Sequence, residues 1–132
     1  MGTNLRTNLK KSNPYYISKH RRLELVHFCL QYPEWKEYLA TIKNHGTQDE
    51  FSDPTGEEAV KRVLYSRNID MIEKCCMLSG PDIYEYLLKS VTSGVSYVFL
   101  ATKCGIPCSR DYFYSRYHKF WYLLSQEKHS LF

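Results

Sequence analysis

The residues of this chain best equipped for chemistry lie between Lys103 and Lys119. Arg110 and Arg116 are candidate base or phosphate contacts, because a guanidinium fork fits guanine edges and phosphate oxygens alike. Lys103, Ser109, Tyr114, Ser115 and Lys119 offer the donors that would hold phosphates. Arg110, Arg116 and Lys119 are expected to project from one side of a final helix. Between them, Phe113, Tyr117, Phe120, Trp121 and Leu124 recur at three and four residues, which is the period of a core-facing helical stripe. Tyr112 and Tyr122 fit either side. The chemistry expected here is recognition of a polyanion.

Other constellations fall short of catalysis. Cys104 and Cys108 with His118 fit no strong zinc spacing, and a fourth ligand is not evident. His20, Glu24 and His27 are turn-spaced, but they lack the adjacent glutamate of metalloproteases and read as a solvated face. Glu57-Glu58 reads as a helix start rather than an acid pair. No phosphate loop, dinucleotide turn or nucleophile elbow occurs. The expectation is a non-enzyme with no cofactor and no metal.

The elements that position the cations follow from local signals. Val98, Leu100, Ala101 and Cys104 would be buried by a short amphipathic helix. Gly105 supplies the positive φ of a tight exit, Ile106 plugs the corner and Pro107 forbids continuation. Ser109 can cap the second helix. Residues 96–125 thus read as a helix–turn–helix.

The run Ser96-Tyr97…Leu100-Ala101…Gly105-Ile106, followed by a basic helix, resembles the DNA-binding region of small sigma-like regulators, including phage late-gene activators. Ala101, Gly105 and Ile106 match that pattern. Pro107-Cys108 departs from it, with a turn one residue longer than the compact form. Through "YYISKHR", "YPEWKEYL", "DPTGEEAVKR" and "SRDYFYSRYHKFWYLLS" the chain also resembles proteins of bacterial prophages over most of residues 14–125. The resemblance implies a phage origin, and the cysteine usage suits free thiols in a reducing bacterial cytoplasm.

Composition frames these elements. The chain has 132 residues, 43% of them hydrophobic and 15% aromatic, which suits one domain with a real core and excludes disorder over most of its length. Its twelve tyrosines suit half-buried positions and interfaces. The formal net charge of +4 is unevenly spread. Met1 to Leu23 holds Arg6, Lys10, Lys11, Lys19, Arg21 and Arg22 and no acid, while most carboxylates fall from Asp49 to Glu85. Basic ends can neutralise phosphates or simply be solvated. The five cysteines follow no secretory signal, and free thiols are expected. No apolar run reaches membrane-span length.

The domain reading is a flexible basic arm, residues 1–13, and a single all-α domain, residues 14–132, of about six helices. The first helix starts near Tyr16, with Ile17, Leu23, Val26, Phe28 and Leu30 as its apolar stripe. A short helix around Trp35, Leu39 and Ile42 stops at Asn44 to Gly46, and a loop follows. The longest helix is capped by Asp53 or Thr55 and uses Ala59, Val63, Ile69, Ile72 and Cys76. It ends at Gly80-Pro81. Another helix carries Ile83, Tyr86, Leu87, Ser90 and Val91 and ends at Gly94. Val63, Ile69 and Ile72 could equally bury against a second copy, as a homodimer.

The function expected first is a phage-encoded transcriptional regulator that binds double-stranded DNA through the last helix, with the arm on backbone or minor groove. The alternative is a protein–protein inhibitor or adaptor acting on host machinery such as RNA polymerase or a defence nuclease, for example a CRISPR effector. A virion or packaging role is a third.

Overall fold

A computed structural model describes residues 9–45 and 56–130. The described residues are helical, with no strand among them. Helix α1 spans Lys19–Leu30, α2 Tyr32–His45 and α3 Gly56–Ser79. A 3₁₀ turn at Pro81–Ile83 leads into α4, Tyr84–Ser93, then α5, Tyr97–Lys103, and α6, Arg110–Ser130.

The first helix begins later than its sequence suggests. Asn13 donates to the Lys10 carbonyl at 2.9 Å and Tyr16 to the Asn13 carbonyl at 3.0 Å, so the chain is spent on turns before Ser18 caps α1 by accepting the Arg21 N–H at 3.2 Å. Residues 1–8 of the expected arm lie outside the described residues. So do the expected loop and the caps Asp53 and Thr55.

The α6 helix is the centre of the fold. It packs along α3, α1 and α4, and its Phe113, Phe120 and Leu124 are fully buried, with Trp121 nearly so. Opposite them lie Leu25 and Cys29 of α1, Ile69, Ile72, Cys75 and Cys76 of α3, and Leu87 and Val91 of α4. Truncating one such aromatic costs about 3–5 kcal/mol. A second aromatic chain pins α2: Phe28, Trp35, Tyr65 and Tyr38 follow one another at ring distances of 5.1, 6.0 and 5.2 Å.

Three expected stripes need correction. In α1 the buried residues are Leu25 and Cys29, whereas Leu23 and Leu30 are 38% and 39% exposed. The face that meets α6 carries Arg21, Leu25 and Cys29, and this sets the helix's phase. In α3, burial begins at Ile69, and Val63 is 65% exposed. In α5, Val98 and Ala101 face solvent. A helix this short turns one row inward, and that row is Tyr97, Leu100 and Cys104, of which Leu100 is fully buried. Among the described residues, no helix is long and apolar enough to cross a membrane.

Candidate nucleic-acid interface

The junction of α5 and α6 is built by local rules. Ser96 caps α5 by accepting the Phe99 N–H at 3.3 Å. The Leu100 carbonyl then collects the N–H groups of both Cys104 and Ile106 at 3.1 Å. Gly105 between them takes φ +66°, and Ile106 is buried at the corner. The Tyr97 hydroxyl donates to the Cys108 carbonyl at 2.6 Å, which ties the turn back to α5. Ser109 caps α6 by accepting the Tyr112 N–H at 3.2 Å.

The candidate contacts do not form one row. Arg110 leans toward α5, its guanidinium 5.7 Å from the centre of the Tyr97 ring. Arg116 turns the other way. Its Nη1 lies 3.5 Å from the Ser79 carbonyl, its Nε donates to Ser115 Oγ at 3.2 Å, and its guanidinium lies 5.6 Å from the Tyr112 ring. Tyr112 in turn donates to Asp82 at 2.7 Å, a bond that raises its hydroxyl pKa. Arg116 and Lys119, three apart, share a flank of α6, and Arg110 occupies the opposite flank. The expectation that all three project from one side is therefore corrected. Ser115 is exposed and donates to the Tyr112 carbonyl at 2.6 Å. Tyr114 is half-buried, its ring 5.0 Å from Phe113 and 5.4 Å from Tyr117. Lys103 is exposed and Lys119 half-buried.

A stronger cationic feature lies beside α6. Lys10, Lys11, Lys19 and Arg22, with Leu9, Tyr16 and Ile17, line a hollow of about 400 Å³ that has no carboxylate in its wall. The turn at Asn13-Pro14 folds the basic segment back over the start of α1, whose first turn holds no acid. A tilted ring contact of Tyr15 with Tyr122, 5.5 Å between ring centres, seats this turn on α6. The acid-free run to Leu23 carries the charge signal in the sequence, and Asn-Pro carries the turn signal. Their concavity emerges only once the helices pack.

The remaining candidates are dispersed. His20, Glu24 and His27 are exposed, and Glu24 pairs with Arg21 at 3.6 Å. Cys104 and Cys108 are half-buried, and all five cysteines are unpaired. Among the described residues, no group of three His, Cys, Asp or Glu side chains converges as a metal site would require. No protein-family model, curated protein or solved structure matches the chain.

Proposed function

We propose that this chain is a duplex-DNA-binding regulator of phage origin, acting in the bacterial cytoplasm. In this reading α5, its glycine corner and α6 form a helix–turn–helix, and the amino-terminal hollow grips the phosphate backbone beside it. The observation that carries the reading is the hollow, where four cations surround one concavity without a counter-charge in its wall. Grouped cations of this kind gain free energy by displacing condensed counterions from a nucleic acid. Lys119 and Arg110 on the flanks of α6 extend the contact, while Ser109 and Ser115 present hydroxyls on its solvent side. Arg116 is held against the Ser79 carbonyl and the Tyr112 ring, so it ties α6 to the end of α3 as well as offering a guanidinium edge.

The test is fluorescence anisotropy with a labelled duplex over a range of salt. Binding at low salt that falls linearly on a log–log plot supports the reading, and no duplex binding at low salt overturns it.

A second reading, a docking module for a host protein, is favoured by Val98 and Phe99. They leave 52% and 40% of their surface exposed on α5. Loss of a stoichiometric protein partner on Phe99→Ser, with no effect on duplex binding, would establish that reading.

A further inference from the structure

Three large apolar residues stand in solvent on the amino-terminal half of α3. Val60, Val63 and Leu64 are 64%, 65% and 44% exposed. With Ala59 and Arg67 they line a shallow hollow of about 360 Å³. Val60, Leu64 and Arg67 fall at i, i+4 and i+7, hence on one face. The other side of this half-helix is occupied by α2, through Trp35 and Tyr38 against Tyr65.

We infer that this face pairs with the same face of a second copy, the two α3 helices lying antiparallel. The order of charges along the face selects that occupant. Glu57 lies at the amino-terminal end of the apolar row and Arg67 at its carboxy-terminal end, and both are exposed. The midpoint between Val60 and Leu64 is also the midpoint between Glu57 and Arg67. An antiparallel copy that sets Val60 against Leu64 therefore brings Glu57 level with the partner copy's arginine at the same register. The two-fold axis makes that pair twice. A parallel copy would set like charges together at both ends. Antiparallel helices also oppose their macrodipoles. Two turns of contact per copy are smaller than a standard interface, so the dimer is weak and concentration-dependent. This pairing uses no residue of the proposed DNA surface and stands apart from that reading.

Sedimentation velocity on the full chain at low salt, up to about 0.1 mM, tests it. The expected result is a monomer that converts to a dimer as concentration rises. Val63→Glu puts a carboxylate on the flank of the apolar row, inside the hollow, and should weaken the dimer at least about tenfold. Its circular dichroism melt should be unchanged, since Val63 is exposed in the monomer. Glu57→Arg and Arg67→Glu should each weaken association about two- to fivefold, and the double reversal should restore it. A wild-type chain that stays monomeric throughout overturns the inference. So does a dimer that survives Val63→Glu, or a double reversal no better than either single change.

Discussion

Arg21 reaches across the fold to Ser125, donating from Nε to its Oγ at 3.0 Å and from Nη2 to its carbonyl at 3.1 Å. The contact joins the first turn of α1 to the last third of α6, 104 residues away in the chain. Arg21 is therefore a structural residue, although it sits among the acid-free cations of the amino terminus. Arg21→Ala should cost about 1–3 kcal/mol in urea denaturation, because it leaves two half-buried acceptors without a donor. Arg21→Lys should recover only part, since an ammonium cannot span both acceptors as a planar fork does. Lys11→Ala, at an exposed position, should stay within about 0.5 kcal/mol of wild type. An unchanged midpoint for Arg21→Ala would show that the joint contributes nothing.

Two glycines resist replacement for different reasons. Gly105 takes φ +66°, but an added Cβ there would meet no atom within 4 Å, so Gly105→Ala should cost only backbone strain, about 1 kcal/mol. At Gly80 the backbone, with φ −155°, suits any residue. There the obstacle is steric: a Cβ would lie 3.1 Å from Ile83 Cγ1 and 3.4 Å from Arg116 Cβ and Cγ. Gly80→Ala should therefore push the 3₁₀ turn off α6 and cost about 1–3 kcal/mol. Gly56→Ala has open space and should be neutral or slightly stabilising. Ile106→Ala, which empties the buried corner, should cost about 2–5 kcal/mol. Thermal melts rank the four, and a Gly80→Ala chain as stable as Gly56→Ala would contradict the close approach of α6.

The phase of α6 is legible in the sequence because its largest apolar residues recur on one face. Phe113, Tyr117, Phe120, Trp121 and Leu124 mark that stripe, and four of them are fully or almost fully buried, while Tyr112, which fits either side, is exposed and Tyr122 half-buried. The α1 helix is different. Leu23, Val26 and Leu30 compete with Leu25 and Cys29, and only the position of α6 decides between them. Val63 fails for a related reason: its period is right for the core, but at that level of α3 the covering helix, α2, packs on the opposite side, against Tyr65. The roles of Arg21 and Arg116 are invisible to local reasoning, since their partners lie 104 and 37 residues away. The glycine corner, by contrast, is local chemistry throughout and can be read directly.

Burial makes the core sensitive to alkali. It pushes the Cys75 thiol up to about 12 and moves Cys29 and Cys76 in the same direction. The Tyr32 hydroxyl is likewise raised, by burial and by its bond to Glu73. Each of these groups stays neutral in the folded chain at a pH where the unfolded chain ionises. The stability they protect is fully present below the ordinary thiol value of 9.0 and is lost as pH rises through it toward 12. The free energy of unfolding should fall from about pH 9 upward, and Cys75→Ala should reduce that slope at some cost in packing. An aromatic disulfide reagent should reach half-buried Cys104 and Cys108 in the native chain and all five thiols only in denaturant. Rapid native reaction of Cys29, Cys75 or Cys76 would contradict the packing.

The proposed DNA surface separates into cations that hold the fold and cations free to meet phosphate. Lys10, Lys11 and Lys19 are exposed around the hollow, and Lys119 lies half-buried on the flank of α6. Lys11→Ala with Lys19→Ala should leave the melting temperature unchanged. If both lysines meet phosphates, the double variant should lower the log–log salt slope by about 1.8, roughly 0.9 for each phosphate left unneutralised. Sequence preference should not change, because groups on the phosphate backbone carry no base information. Arg116→Ala should behave otherwise. It should lower the melting temperature, since Arg116 ties α6 to the Ser79 carbonyl at the end of α3. If its free edge also reads a base, it should weaken binding by about 1–3 kcal/mol and relax preference at one position of the site. Comparing both variants at a temperature well below either melt separates the two effects. A salt slope that the double lysine variant leaves untouched would remove the hollow from the binding path. If duplex binding also persisted in Arg116→Ala, the DNA would have to be held through Arg110 and Lys103 at the other flank of α6.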